Sequence, residues 1–193
     1  MTNLLRPLPT GRTHLDALAE SLATLYGETR RLTRWGRHLA EVLSGGGRLL
    51  ALGNGGSSCQ AQHLTSELVG RYRDDRPPFS ALALCTETSA LTAIGNDYGI
   101  EHLFARQVTG HGRPGDILIA LSTSGRSPNV VAAIEAAHEI GITTWALTGP
   151  APNPVADAVD DALTIGSPHT ATVQECHLVL IHLLCAAFEE WLT

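Results

Sequence analysis

Short apolar runs alternate with stretches of helical periodicity along most of this chain. Residues 48–52, 81–85, 117–121, 144–147 and 162–165 form the apolar runs, each bounded by turn residues. They lack polar alternation, which predicts strands buried on both faces, as in a parallel sheet. Between them lie helical segments, clearest at residues 59–69, 128–140 and 173–191. Ahead of the first strand, residues 13–44 predict two helices. Leu15, Leu18, Leu22 and Leu25 form one apolar stripe, and Leu32, Trp35, Leu39 and Val42 form another. This alternation predicts a three-layer, doubly wound α/β fold. Proline clusters at 76–78 and 150–154 read as loops within it.

Composition narrows the function classes. With 193 residues, 44% of them hydrophobic and 17% charged, the chain predicts one globular domain, 1–193, able to bury a sizeable core. A net charge of -6 opposes a nucleic-acid or anionic-membrane surface and leaves small polar ligands or protein partners. All thirteen basic side chains are arginine, which excludes a lysine Schiff base and a phosphate-gripping P-loop lysine. The four cysteines show no CxxC pairing and read as reduced thiols of a cytoplasmic protein. The apolar stretch 178–188 is interrupted by His182 and is too short to span a bilayer, so no membrane segment is expected.

Two loops carry the first candidate chemistry. One, "GNGGSS" at residues 53–58, ends a predicted strand and starts a predicted helix, where backbone amides and the helix dipole favour an anion. A dinucleotide fingerprint is weak here because Ser58 stands at its third glycine, so no nucleotide cofactor is expected. A plain turn with Ser57 or Ser58 as N-cap is the structural alternative. The second loop, "STSGRS" at residues 122–127, also links a strand to a helix, which opens with Pro128. Its hydroxyl density exceeds what capping requires. Two such loops can converge on one phosphate, and with neither lysine nor a magnesium-binding arrangement a monophosphate ester fits best.

Beyond the first loop, His63 and Glu67 stand four residues apart and share one helix face. They are either an acid/base pair or an ordinary solvated helix pair. His182, inside "LVLIHLLC", reads by itself as a core histidine.

The motifs "GNGGSSCQAQHLTSELVGRY", "TAIGNDYG", "GDILIALSTSGRSPNV" and "VQECHLVLIH", in that order, resemble the sugar isomerase (SIS) domain family of the phosphoheptose isomerase type. The resemblance runs from about Arg48 to the C-terminus. It implies a five-stranded parallel sheet flanked by helices, and a homotetrameric ketose–aldose isomerase acting on sedoheptulose 7-phosphate. It assigns Ser57, Ser122, Ser124 and Ser127 to the phosphate, places Asn54, Asp97 and Thr123 near the sugar hydroxyls, and gives Arg71 as an active-site arginine.

The same resemblance makes Glu67 the general base and His182 the second acid/base residue, matching the proton transfers that such an isomerisation needs. It also makes Gln174 a substrate-binding residue, and it implies a Zn2+ site at His63, Glu67, Gln174 and His182. Two histidines and a carboxylate suit zinc, while a glutamine ligand is unusual. Gln174 enters only by resemblance: it lies about 80° round the helix from His182, and spacing alone would choose Glu175. Ala171 departs from the family, many of whose members carry an aspartate there. That local pattern is shared with a non-catalytic branch that binds the replication initiator DnaA. The branch typically lacks the acidic base and the final histidine, both present here, so it stands as the alternative, beside isomerisation of another sugar phosphate. The tetramer implies that the helices within about 13–44 pack between subunits, with Arg30, Arg31, Arg34 and Arg37 on the polar side.

Overall fold

The five apolar runs become five parallel strands in the order β2-β1-β3-β4-β5. A computed structural model describes residues 11–192; the first ten residues and the last of the expected 1–193 domain lie outside the described residues. The strands are β1 (Leu49–Gly53), β2 (Ala81–Ala83), β3 (Ile117–Ser122), β4 (Thr143–Thr148) and β5 (Asp161–Thr164). The helices are α1 (Gly11–Thr24), α2 (Thr29–Ser44), α3 (Gly56–Val69), α4 (Thr88–Tyr98), α5 (Ala105–His111), α6 (Pro128–Ile140), α7 (Pro154–Ala158) and α8 (Thr170–Glu189).

Burial follows sheet position. Every residue of β1 and β3 is buried, because helices cover both faces of these inner strands. The edge strands β2 and β5 depart from the expectation of two buried faces, since each retains an exposed residue. One core packs α2, α3 and α8 against the sheet through Leu39, Leu64, Leu68, Leu180 and Phe188. The other packs α5, α6 and α7 on the opposite face through Val108, Ile134 and Val155. The doubly wound three-layer reading therefore holds. Helices α4 and α5 lie in a stretch where the pattern predicted nothing, and α7 begins inside a proline cluster read as loop: Pro154 occupies its first turn and Asn153 caps it.

Strand order fixes where a ligand can bind. From β1 the chain winds to the edge strand β2, whereas from β3 it winds the other way, to β4 and β5. The crevice beyond the carboxyl ends of β1 and β3 is thus the topological switch point, where open α/β sheets take their ligands. Both hydroxyl-bearing loops leave from these two strand ends.

The N-terminal helices divide. Helix α2 buries Leu32, Trp35 and Leu39 within the chain; Trp35 stacks on Trp145 at 4.6 Å, and Gly36 lets the helix approach Ala187 of α8. Helix α1 has no buried residue, and Leu15 remains 64% exposed. Helix α8 is long and apolar enough by composition to cross a bilayer, longer than the stretch weighed from the sequence. Its Val173, Leu180, Ile181 and Leu184 instead fill the core.

Candidate active site

The first loop is built by close approach of backbone. Strand β1 stops at Gly53, where a Cβ would lie 2.8 Å from Ser57 Cβ and 2.9 Å from the Leu121 carbonyl. Gly55 takes a left-handed φ of 53° and caps α3. Ser57 and Ser58 therefore stand inside the first turn, and neither is the expected N-cap. Ser58 Oγ donates to the Gly55 carbonyl at 2.6 Å, while Ser57 is buried against the strand ends.

The second loop turns its hydroxyls inward. Ser122 Oγ accepts from the Gly125 amide at 3.1 Å and lies 3.4 Å from Ser127 Oγ. Ser124 Oγ accepts from the Arg126 amide at 3.2 Å. Ser127 occupies the cap position of α6, yet its hydroxyl makes no cap bond. Gly125 has φ 61°, and a Cβ there would collide with the side chain of Asn153, so the turn demands glycine. Asn54, Ser57, Ser122, Thr123, Ser124 and Ser127 line one cavity of about 60 Å³, closed below by Leu121. Six of the predicted residues thus converge, between the N-termini of α3 and α6. That combination of amides, hydroxyls and dipoles suits a small anionic group.

Further along α3 lies a second cluster. His63 Nε2 stands 2.9 Å from His182 Nε2 and 3.4 Å from Glu67 Oε1. One donor atom from each of the three lies within 4.8 Å of the others. His182 reaches the cluster because α3 and α8 run side by side in one direction, and it is half-buried rather than a core residue. The core histidine of α8 is His177. Its Nε2 lies 3.2 Å from the Thr148 carbonyl, its Nδ1 is buried without a partner, and burial pushes its pKa down to about 4.

The segment after α3 braces this end. Tyr72 stacks on His182 at 5.7 Å, and the Arg73 guanidinium lies 5.0 Å over the Tyr72 ring. Arg76 donates to the carbonyls of Glu67 at 2.5 Å and Leu68 at 2.8 Å, and pairs with Glu189 at 3.4 Å. Glu189 also accepts from the amides of Tyr72 and Arg73 at 3.3 and 3.4 Å. The Arg76 and Glu189 side chains are only 8% and 12% exposed, so this pair fixes the last turn of α3 from inside the fold. Sequence reasoning missed Tyr72, Arg76 and Glu189; the arginines in "GRYRDDRPP" were the available signal. Burial, with the Glu67 charge as the next cause, raises the Cys185 thiol to about 12 and leaves it inert.

Three predicted residues lie outside both the cavity lining and the histidine cluster, although Gln174 stays near the cavity end, in keeping with its substrate-binding expectation. The Gln174 side chain lies against Gly56, where it would collide with any Cβ, and Gln60 Nε2 donates to the Gln174 carbonyl. Seven residues of α3 separate Gly56 from His63, about 10 Å along the helix. Within this chain Gln174 therefore belongs to the cavity end and does not complete the expected metal set. Arg71 is exposed and donates to the Arg73 carbonyl at 2.7 Å. Asp97 is exposed at the end of α4 and accepts from Asn96 at 2.7 Å. Neither lines the cavity or joins the histidine cluster. Ala171 lies in the first turn of α8, which has neither an acidic residue nor a side-chain cap.

The remaining donors suit zinc. Two histidines and a carboxylate, with donor atoms within 4.8 Å of one another, are the ligand types that hold a catalytic Zn2+ ion.

Comparison with known proteins gives one answer. A family model described as the SIS domain matches residues 13–149. The phosphoheptose isomerase of Streptomyces coelicolor is 58% identical over 176 residues, 91% of this chain and 76% of that protein. Among solved structures, phosphoheptose isomerase GmhA from Neisseria gonorrhoeae has a TM-score of 0.85 at 38% identity, covering 93% of this chain and 96% of that one. The phosphoheptose isomerase from Francisella tularensis has a TM-score of 0.83 at 33% identity, covering 94% and 100%.

Proposed function

This chain belongs to the SIS domain family, in its phosphoheptose isomerase branch, and we propose that it converts sedoheptulose 7-phosphate to D-glycero-D-manno-heptose 7-phosphate through an enediol. It is an enzyme of the sugar-phosphate isomerase class. The observation that carries the reading is the placement of a hydroxyl-lined cavity and an acid/base cluster along a single helix, α3. The cavity holds the phosphate with Ser57, Ser122, Ser124 and Ser127. Asn54 and Thr123 also line it, and they take the sugar hydroxyls. The DnaA-binding alternative is not favoured, since Glu67 and His182 are both in place and the relatives are isomerases.

The chemistry follows from residue types. The Glu67 carboxylate removes a proton from C1 of the ketose, and the C–H electrons form the C1–C2 double bond of the enediol as the carbonyl oxygen gains a proton. Glu67 then returns its proton to C2 while the C1 hydroxyl loses its own, which leaves an aldehyde at C1. His182 carries the proton between the two oxygens. No oxidant or reductant enters. His63, Glu67 and His182 would hold a Zn2+ ion, which supplies Lewis-acid polarisation of the substrate oxygens when bound.

Assembly forms part of the proposal. Helix α1 and Tyr26, itself 81% exposed, border an apolar groove of about 540 Å³ with Val179 and Leu183 of α8. This face fits subunit packing in a homotetramer. The part of the N-terminal segment proposed for the interface is α1 alone, because α2 is spent on its own core. Arg71 and Asp97, both exposed, remain candidates for substrate contact in that assembly. All four cysteines are free, which suits a reducing cytoplasm.

The test is a panel of ketose phosphates of five to seven carbons, with aldose formation followed for each. Turnover is expected with the seven-carbon ketose. Turnover of a shorter ketose alone would replace the substrate, and turnover of none would overturn the assignment.

A further inference from the structure

We propose that Asn129 is a positioning residue of the phosphate cradle, whose side-chain amide clasps that of Asn54 across the crevice and sets the spacing of the two loops. The inference rests on reading the hydroxyl cavity as the phosphate site. Asn54 Nδ2 donates to Asn129 Oδ1 at 2.9 Å, and Asn129 Nδ2 donates to Asn54 Oδ1 at 3.0 Å. The two amides form a reciprocal pair between residues 75 apart in sequence.

Its location gives the pair its purpose. β1 and β3 are paired as far as Gly53 opposite Leu121, where their ladder ends. α3 then packs in one layer and α6 in the other, on opposite faces of the sheet. The amide pair ties the two loops together where the sheet has ceased to do so. Asn129 is 5% exposed while Asn54 stands at the surface, so the pair is anchored from its buried α6 side and reaches outward to the first loop. Asn129 is the second residue of α6, and Asn54 lines the cavity directly.

Only an amide can serve this way. A primary amide offers two N–H donors and a carbonyl acceptor; the clasp uses one donor and the carbonyl, and fixes the plane of Asn54 with its second N–H still available. Aspartate at 129 could accept from Asn54 but would set a second oxygen against the Asn54 carbonyl, and would add negative charge beside a phosphate. Leucine would keep the approximate volume and lose both bonds.

The test uses inorganic phosphate as a competitive probe, alongside steady-state kinetics with the seven-carbon ketose phosphate. Asn129→Leu is expected to raise both KM and the inhibition constant of phosphate about tenfold, with kcat changed less than about twofold. Asn129→Asp should raise both further. In an Asn54→Ala background, Asn129→Leu should add less than about twofold, because the two residues act as one unit. Thermal unfolding checks that each variant is folded, and the near-isosteric Asn129→Asp carries the test if the leucine variant does not fold. Unchanged phosphate inhibition in the folded variant tested, beside normal inhibition of the parent enzyme, overturns this inference alone. So does a full additive effect in the Asn54→Ala background. Absence of competitive inhibition in the parent enzyme overturns the phosphate reading, and this inference with it.

Discussion

The two ends of α3 are made in different ways. At its N-terminus the cavity takes its shape from strand ends, glycine turns and backbone amides, and its six polar residues come from two short contiguous stretches, 54–57 and 122–127. At the other end the cluster consists of side chains alone, drawn from α3 and from a point 119 residues later on α8. Many small contributions hold the first end, so losing one hydroxyl weakens it by a fraction. The second depends on each group being present and aimed, so losing one group should abolish a chemical step. The predictions below separate these two kinds of construction, beginning with the largest effect.

Glu67→Gln keeps size and polarity but removes the base. Turnover should fall by about 10²- to 10⁴-fold with substrate affinity retained. Metal content must be measured alongside, because the same carboxylate belongs to the candidate Zn2+ set. Exchange of the substrate's carbon-bound proton with deuterated water should be lost in step with turnover. Full exchange and full turnover in a metal-replete variant would eliminate Glu67 as the base, and with it the contrast between the ends.

Next in size is a test of what lies beneath the cavity. His177 contacts the Thr148 carbonyl, and the following residue, Gly149, packs against the backbone of Thr123 in the second loop. Its folded pKa of about 4 lies below the ordinary 6.5, so the unfolded chain takes up the proton first as pH falls. The sign is then fixed: the neutral ring favours folding above pH 6.5, and this contribution is lost between 6.5 and about 4, by about 3 kcal/mol in all. His177→Gln does not titrate and can still donate to Thr148. Its urea midpoint should decline less with acid than that of the parent. Parallel declines would show that His177 is not held neutral by the fold.

At the cavity itself the expected loss is smaller. Ser124→Ala removes one hydrogen bond to a charged group, worth about 1.5 to 3 kcal/mol, which is roughly ten- to a hundredfold in substrate affinity. Stability should barely change, since Ser124 is exposed and, among the described residues, accepts only from a loop amide, that of Arg126. An unchanged KM and turnover would reduce the loop to a helix start, and the cavity end would lose its role.

Legibility in the sequence follows the same division. The inner strands were legible because burial on both faces writes a continuous apolar run, whereas β2 and β5, half-open at the sheet edges, blur at their boundaries. The cavity was legible because its residues lie beside the turns that create it. His63 and Glu67 were legible as a pair from their spacing, whereas their partner on α8, His182, came only from the family resemblance and read by itself as a core histidine. Five residues put His177 and His182 about 140° apart on α8, on different faces, but only packing decides that the former faces the sheet and the latter faces α3. Gln174 was carried in by resemblance, and the parallel course of the two helices places it at the wrong end of the seam for the cluster. Asn129 sat in plain view in "SPNVV", yet its meaning depends on a contact with Asn54 that no local pattern encodes.

The smallest predicted effect concerns how His182 is aimed. Its ring has His63 edge-on at 5.1 Å on one side and Tyr72 stacked at 5.7 Å, with an interplanar angle of 29°. Tyr72 is itself held from three directions, by the Arg73 guanidinium over its ring and hydroxyl and by the Glu189 carboxylate on its amide. An aromatic pair of this kind contributes about 0.5 to 1.5 kcal/mol beyond simple burial. If that energy serves to orient the imidazole, Tyr72→Leu should lower kcat by up to about tenfold and leave KM for the phosphate ester nearly unchanged, because the cavity lies at the far end of α3. Tyr72→Phe, which keeps the ring and loses only the hydroxyl, should restore most of the rate. This pairing distinguishes aiming from proton transfer: equal losses in the phenylalanine and leucine variants would make the hydroxyl the active feature. A rise in KM without a fall in kcat would mean that the loop after α3 contacts substrate directly, and the two ends of the helix would no longer be separable.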